Sequence, residues 1–172
     1  MKKKNYGTLF WITGFSGSGK TRISKKIHSH IKKQYGPTIL FSGDDIRRIF
    51  SLRGYSYKDR IETVMKYCKL AKFITSQNIN VIFAVIGMVD SIRNWNKKNI
   101  QNYVEIYIKS DLKQIIKKKQ KKIYNKIKKN IVGLDIKPDY PKKPHIVIHN
   151  NFKKNINSYS KELIIKINKH LS

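Results

Sequence analysis

Thr8-Leu9-Phe10-Trp11-Ile12-Thr13-Gly14-Phe15-Ser16-Gly17-Ser18-Gly19-Lys20-Thr21 is the stretch around which this chain is arranged. From Gly14 to Thr21 it fits the phosphate-binding pattern G-x-x-x-x-G-K-[ST] at every fixed position. Glycines at Gly14, Gly17 and Gly19 let the backbone turn tightly and aim successive N–H groups, with those of Ser16 and Ser18, at one anion. The following helix adds its positive N-terminal end. In this pattern Lys20 reaches the β/γ-phosphates of a nucleotide such as ATP, and the Thr21 hydroxyl holds Mg²⁺. Leu9-Phe10-Trp11-Ile12 reads as a buried strand before the loop, and Ile23, Ile27 and Ile31 recur at helical spacing after it.

Downstream, Gly36-Pro37 ends the first helix, and Thr38-Ile39-Leu40-Phe41 reads as a second strand. It runs into Ser42-Gly43-Asp44-Asp45, where Asp44 or Asp45 can cap the helix that starts at Ile46-Arg47-Arg48. In a parallel sheet the ligand crevice lies at the carboxyl ends of the strands, so an acid here faces the phosphates. A longer helix follows from Tyr55 to about Ser76, with Ile61, Val64, Met65, Cys68 and Ala71 as its expected buried face. Val81–Ile86 is continuously apolar, as a strand buried on both faces would be. Tyr103–Ile108 and His145–His149 are the fourth and fifth strands, Asp111 caps the helix between them, and a last helix carries Ile156, Leu163, Ile164 and Ile167. From Lys117 to Lys143 the chain is very basic and contains Gly133, Pro138 and Pro141, which predicts a helix passing into an irregular lid. Five strands alternating with helices give an α/β three-layer sandwich on a five-stranded parallel sheet, one domain over residues 1–172.

Composition bounds the function. A 172-residue chain with 40% hydrophobic residues is large enough to bury a core. No apolar run approaches the ~20 residues of a membrane span. The basic start Met1-Lys2-Lys3-Lys4 leads into the phosphate loop where a signal peptide would have its cleavage site. Cys68 is the only cysteine, and a disulfide framework within the chain is excluded. These features predict a cytoplasmic protein. The net charge of +28 invites a nucleic-acid partner, but the lysines are spread along the chain, and charge alone reads no sequence. A polyanionic small nucleotide suits it better. The five histidines show no metal-ligand spacing.

Over nearly its whole length the sequence resembles the adenylylsulfate (APS) kinases. Four landmarks carry the likeness: the loop Gly14–Thr21; Ser42-Gly43-Asp44-Asp45-Ile46-Arg47 for D-G-D-x-x-R; Gly54–Arg60 for G-F-S-x-x-D-R; and Lys129–Asp135 for K-G-F-T-G-I-D. The resemblance implies an ATP- and Mg²⁺-dependent kinase of a nucleotide ribose 3′-hydroxyl, acting as a homodimer. It implies that Asp44 serves in the metal shell or accepts the hydroxyl proton, that Arg47 and Arg60 clamp the acceptor, and that Lys129 points at the transferring group from the lid. The departures fall on the acceptor side. Ser42 replaces the first Asp, leaving Asp44 as the matching carboxylate. The aromatic pair that sandwiches adenine in the family corresponds to Tyr55 and Ile131. Thr63-Val64-Met65 stands for N-x-R, and Gly87-Met88-Val89 for S-P-[FY]. This pattern is similar to the capsule-biosynthesis branch, the cytidine diphosphoramidate kinases, whose acceptor base is a smaller pyrimidine. An APS kinase is the alternative, and a nucleic-acid end kinase or a non-catalytic nucleotide-binding regulator the remoter ones.

Overall fold

In the computed structural model, residues 5–118 and 129–172 are described. In chain order the elements are β1 (Thr8–Thr13), α1 (Lys20–Tyr35), β2 (Thr38–Ser42), α2 (Gly43–Ile49), α3 (Tyr57–Thr75) and β3 (Asn80–Ala84), then α4 (Asp90–Asn99), β4 (Asn102–Lys109), α5 (Leu112–Lys117), β5 (Ile146–His149) and α6 (Ile156–Leu171). The strands form one sheet in the order β2-β3-β1-β4-β5, and every pairing is parallel. β1 is therefore central, and the phosphate loop leaves it at the middle of the sheet's carboxyl edge.

Alternation along β1 builds the three layers. Phe10 and Ile12 face one side, where Ile23, Ile27 and Ile31 of α1 meet Leu163 and Ile167 of α6. Leu9 and Trp11 face the other, against Cys68, Ala71 and Ile74 of α3 and Ile92 of α4. Ile27 is fully buried between helix and sheet. Ile27→Ala is expected to cost about 2–5 kcal/mol, read by chemical denaturation, because the tight packing there relaxes only partly. Cys68 is buried, and burial pushes its thiol up to about 12, as suits an inert core thiol. His28 and His30 make structural hydrogen bonds to the Thr38 carbonyl and to Asn168 Oδ1, and His145 Nδ1 accepts from the Glu105 N–H.

Several details differ from the sequence reading. The buried face of α3 consists of Thr63, Tyr67, Cys68, Ala71, Ile74 and Thr75, while Ile61, Val64 and Met65 are only partly covered. α4 carries no sustained apolar stripe and was not expected; it buries Ile92 with two polar residues, Arg93 and Asn96. Of the expected lid, residues 119–128 lie outside the described residues. Residues 129–143 form an irregular strap closed by a bridge between Val132 and Ile136. Among the described residues no helix is long and apolar enough to cross a membrane.

Candidate active site

The loop leaves the carboxyl end of β1 and runs into α1. Gly14 has φ +144°, and a Cβ there would stand 2.5 Å from the Ile108 carbonyl oxygen, so only glycine fits the start of the turn. Its N–H donates to the Ile86 carbonyl at 3.3 Å, and the Thr13 hydroxyl donates to the same oxygen, which ties the loop to the end of β3. Lys20, 7% exposed, folds back over the loop and donates to the carbonyls of Gly14 (2.9 Å) and Phe15 (2.7 Å). Asn150, just past β5, clamps the loop from the other side, donating through Nδ2 to the Ser18 carbonyl at 2.9 Å.

The helix starts differ in how they are capped. α1 starts from Gly19 with no side-chain cap. The first turns of the other five described helices each receive a side-chain oxygen: Ser42 for α2, Ser56 for α3, Asp139 for α4, Asp111 for α5 and Asn155 for α6. An open helix N-terminus beside a glycine-rich loop is a ready anion site.

Besides a cavity of about 830 Å³ lined by Phe15, Tyr107 and Asp111, two cavities that share a wall meet at this loop. The larger of these two, about 470 Å³, is walled by Gly17, Gly19, Lys20 and Thr21 and, beyond β5, by Asn150, Phe152 and Ile156. The smaller, about 110 Å³, lies between α2, α3, the turn after β3 and the strap, with Arg47, Tyr55, Arg60 and Gly87 on its walls. Ser16, Gly43 and Asp44 belong to both. Asp44 is the one carboxylate on either wall among the described residues.

Asp44 does not cap α2, and neither does Asp45. Ser42 is the cap: its Oγ accepts from the Asp45 N–H at 3.2 Å and donates to Asp45 Oδ2 at 2.6 Å. A hydroxyl at the strand end satisfies the helix start, and Asp44 at the second helical position is left to face the cavities. Tyr67 supports this corner by donating to the Gly43 carbonyl at 3.2 Å. Burial pushes the Tyr67 phenol up to about 12, so it stays a neutral donor at physiological pH.

The two arginines are pre-set around Tyr55. Arg47 sits with its guanidinium 4.5 Å from the Tyr55 ring centroid and donates to the carbonyls of Leu52 and Gly54. Arg60 lies 5.4 Å from the same ring and donates to the carbonyls of Tyr55 and Asn130. Burial, then the neighbouring Arg47 charge, pulls the Arg60 pKa down, although a guanidinium stays charged. Two cations held this close attract any anion that can lie between them.

Other expected site residues sit elsewhere. Thr63 is buried; the stripe of α3 that reaches the cavity is Tyr57, Arg60, Val64 and Tyr67, at i, i+3, i+7 and i+10. Ile131 is buried and its carbonyl closes the strap's turn, so the strap reaches the wall through Val132 and Ile136. Lys129 is exposed beside Asn130 and stands on neither wall. Gly87 is on the wall with φ +49°, and a Cβ would meet Val85 at 2.7 Å and Trp11 Nε1 at 3.0 Å, which explains glycine in place of the family's serine. Asn150 and Phe152 escaped the sequence reading, yet the rule that ligands bind beyond strand carboxyl ends points to them as it does to Asp44.

A cleft that ends on a carboxylate shared with a second, cationic cavity suits transfer of a phosphoryl group between two anionic substrates. Fold and site together define the chain as a P-loop kinase of nucleotides. It matches the model of the adenylylsulphate kinase family over residues 6–149 and belongs to that family. The cytidine diphosphoramidate kinase of Campylobacter jejuni subsp. jejuni is 38% identical over 167 residues, which cover 95% of this chain and 97% of that protein. The adenylyl-sulfate kinase of Pseudomonas aeruginosa is 28% identical over 153 residues, covering 85% and 78%. Among solved structures, the Mycobacterium tuberculosis APS kinase in complex with AMPPNP and APS shares the fold at a TM-score of 0.83 and 21% identity, covering 95% of this chain and 99% of that one.

Proposed function

We propose that this kinase transfers the γ-phosphoryl group of ATP to the ribose 3′-hydroxyl of cytidine diphosphoramidate, in the cytoplasm, for capsule phosphoramidate synthesis. The observation that carries the reaction type is the wall shared by the two cavities, with Asp44 on it. ATP fits the larger cavity, its β/γ-phosphates on the loop amides, the open α1 N-terminus and Lys20. Thr21 and Asp44 offer oxygen ligands on one wall, the donor type Mg²⁺ prefers, and among the described residues there is no cluster of three or more His, Cys, Asp or Glu. A site with one or two protein oxygens suits a metal that also takes substrate phosphates and water. When bound, Mg²⁺ supplies charge neutralisation on the transferring group. Arg47 and Arg60 hold the charged end of the acceptor, and Asp44 faces the hydroxyl that attacks.

The cytidine acceptor is supported by the near-full-length likeness to a cytidine diphosphoramidate kinase. It is also supported by the strap side of the acceptor cavity, where Val132, Ile136 and Lys137 stand, while the aromatic residues Tyr55, Tyr57 and Tyr67 all come from α3 and the segment before it. Base stacking is worth roughly 1–3 kcal/mol, so a strap without an aromatic costs adenine, the larger base, more than cytosine. The test is competition between cytidine diphosphoramidate and APS at equal, sub-saturating concentrations. The expected ratio of kcat/KM is tenfold or more for the cytidine compound, about 1.4 kcal/mol in transition-state binding. An APS preference of that size would make the chain an APS kinase. Phosphorylation of oligonucleotides in place of either would make it an end kinase. The homodimer implied by the family resemblance belongs to this reading and is checked by sedimentation velocity.

A further inference from the structure

The acceptor cavity leans on a polar chain that starts in the middle of the sheet. Glu105 stands on β4 opposite Trp11 of β1 and is 1% exposed. Burial pushes its carboxyl up, and Lys97 and Arg93 pull it back. Arg93 of α4, 3% exposed, holds Nε 3.3 Å from Glu105 Oε1. Its remaining nitrogens are spent on the turn after β3: Nη1 donates to the Gly87 carbonyl at 3.4 Å and Nη2 to the Asp90 carboxylate. Asp90 opens α4, and its N–H donates to Asp139 Oδ2 at 3.0 Å, while the Asp139 N–H returns a 3.0 Å bond to the Met88 carbonyl. α4 has no cap of its own, so a residue of the strap caps it. Gly87, Met88 and Val89 on the turn, and Ile136 and Lys137 on the strap, are wall residues of the acceptor cavity.

We propose that Arg93 is a positioning residue for the acceptor: seated on Glu105, it fixes the Gly87–Asp90 turn, and through Asp139 that turn fixes the strap that brings Ile136 and Lys137 to the cavity wall. The inference rests on the reading of the smaller cavity as the acceptor site. Two hydrogen bonds to the turn and an ion pair to Glu105 from one planar fork set the turn in a way a lysine ammonium cannot reproduce. Arg93, Asp90 and Asp139 are on neither wall, so they act through the residues they hold. Lys137 thereby becomes a third cation, after Arg47 and Arg60, facing an anionic acceptor.

The experiment uses the full chain with Arg93→Lys, Asp139→Ala and Asp139→Asn. Two quantities are read: KM for acceptor and for ATP, and amide hydrogen exchange with no substrate present. Arg93→Lys and Asp139→Ala are expected to raise the acceptor KM about tenfold, as the loss of a contact that orients a binding residue does elsewhere, and to change the ATP KM less than about twofold. Amides of residues 87–90 and 131–140 exchange faster in both, while those of α1 keep their protection. Asp139→Asn keeps an oxygen for the Asp90 N–H and restores most of the loss. Arg93→Lys weakens a buried ion pair and can destabilise the fold; Asp139→Ala leaves that pair intact and carries the test alone. Unchanged exchange at 87–90 and 131–140 in Asp139→Ala, or an equal rise in both KM values, overturns the proposal. The exchange result holds for any acceptor. A wild-type enzyme that ignores cytidine diphosphoramidate counts against the proposed substrate, and the KM comparison is then read with APS.

Discussion

Lys20→Ala is expected to lower kcat/KM by about 10³-fold or more, while the chain still folds. Charge gathers on the oxygens of the transferring phosphoryl group, and Lys20 is the cation carried by the loop itself. Removing one such preorganised donor from a water-poor site costs typically about 3–4 kcal/mol in the transition state, which is about two to three orders of magnitude. The geometry adds to this. Lys20 also donates to the Gly14 and Phe15 carbonyls, so alanine loosens the loop as well as removing the charge. Lys20→Met shows how much of the loss comes from the missing stem, because it keeps the apolar stem but neither the charge nor the hydrogen bonds. Both variants should melt within several degrees of wild type, since the core on either side of β1 is untouched. Wild-type turnover in a folded Lys20→Ala variant would remove the kinase reading.

The loop at the centre of the candidate site was legible as a structural element because its residues are contiguous. A strand, a glycine-rich turn and a helix follow one another in Thr8–Tyr35, and local backbone geometry alone makes that segment an anion cradle. The α/β architecture was legible too, from continuously apolar strands alternating with helices. The acceptor half comes from three distant segments, and hydrophobic patterning does not say which face of a helix meets a cavity and which meets the sheet. On α3 the family resemblance put Thr63 at the acceptor, yet Thr63 is buried and Val64, expected on the buried face, lines the cavity. On the strap the same resemblance pointed to Ile131, which is buried, while Val132, Ile136 and Lys137 line the cavity. α4 escaped notice because its inner face spends two positions on Arg93 and Asn96, and a buried arginine looks like a surface residue until Glu105 is seen opposite it. Pairing across a sheet is invisible in a linear pattern.

Asp44→Asn is the second substitution with a large expected effect: kcat should fall about 10²–10⁴-fold, with the ATP KM changed only a few-fold. The side chain keeps its shape and loses its charge at the junction of the two cavities. No neighbouring carboxylate can substitute. Ser42 holds the place of the family's other acid, and its hydroxyl is committed to the start of α2. Asp45 is occupied by that same cap and by Arg48 at 2.9 Å. Two mechanisms give the same fall in rate and different signatures. If Asp44 takes the proton from the acceptor hydroxyl, the wild-type pH profile has an acid limb that is absent in the asparagine variant. If Asp44 holds the metal shell, the Mg²⁺ concentration for half-maximal rate rises in the variant, and saturating metal restores part of the loss. A kcat within about threefold of wild type, with unaltered pH and Mg²⁺ profiles, would mean the carboxylate has no part in transfer, since a base should contribute at least about 10²-fold.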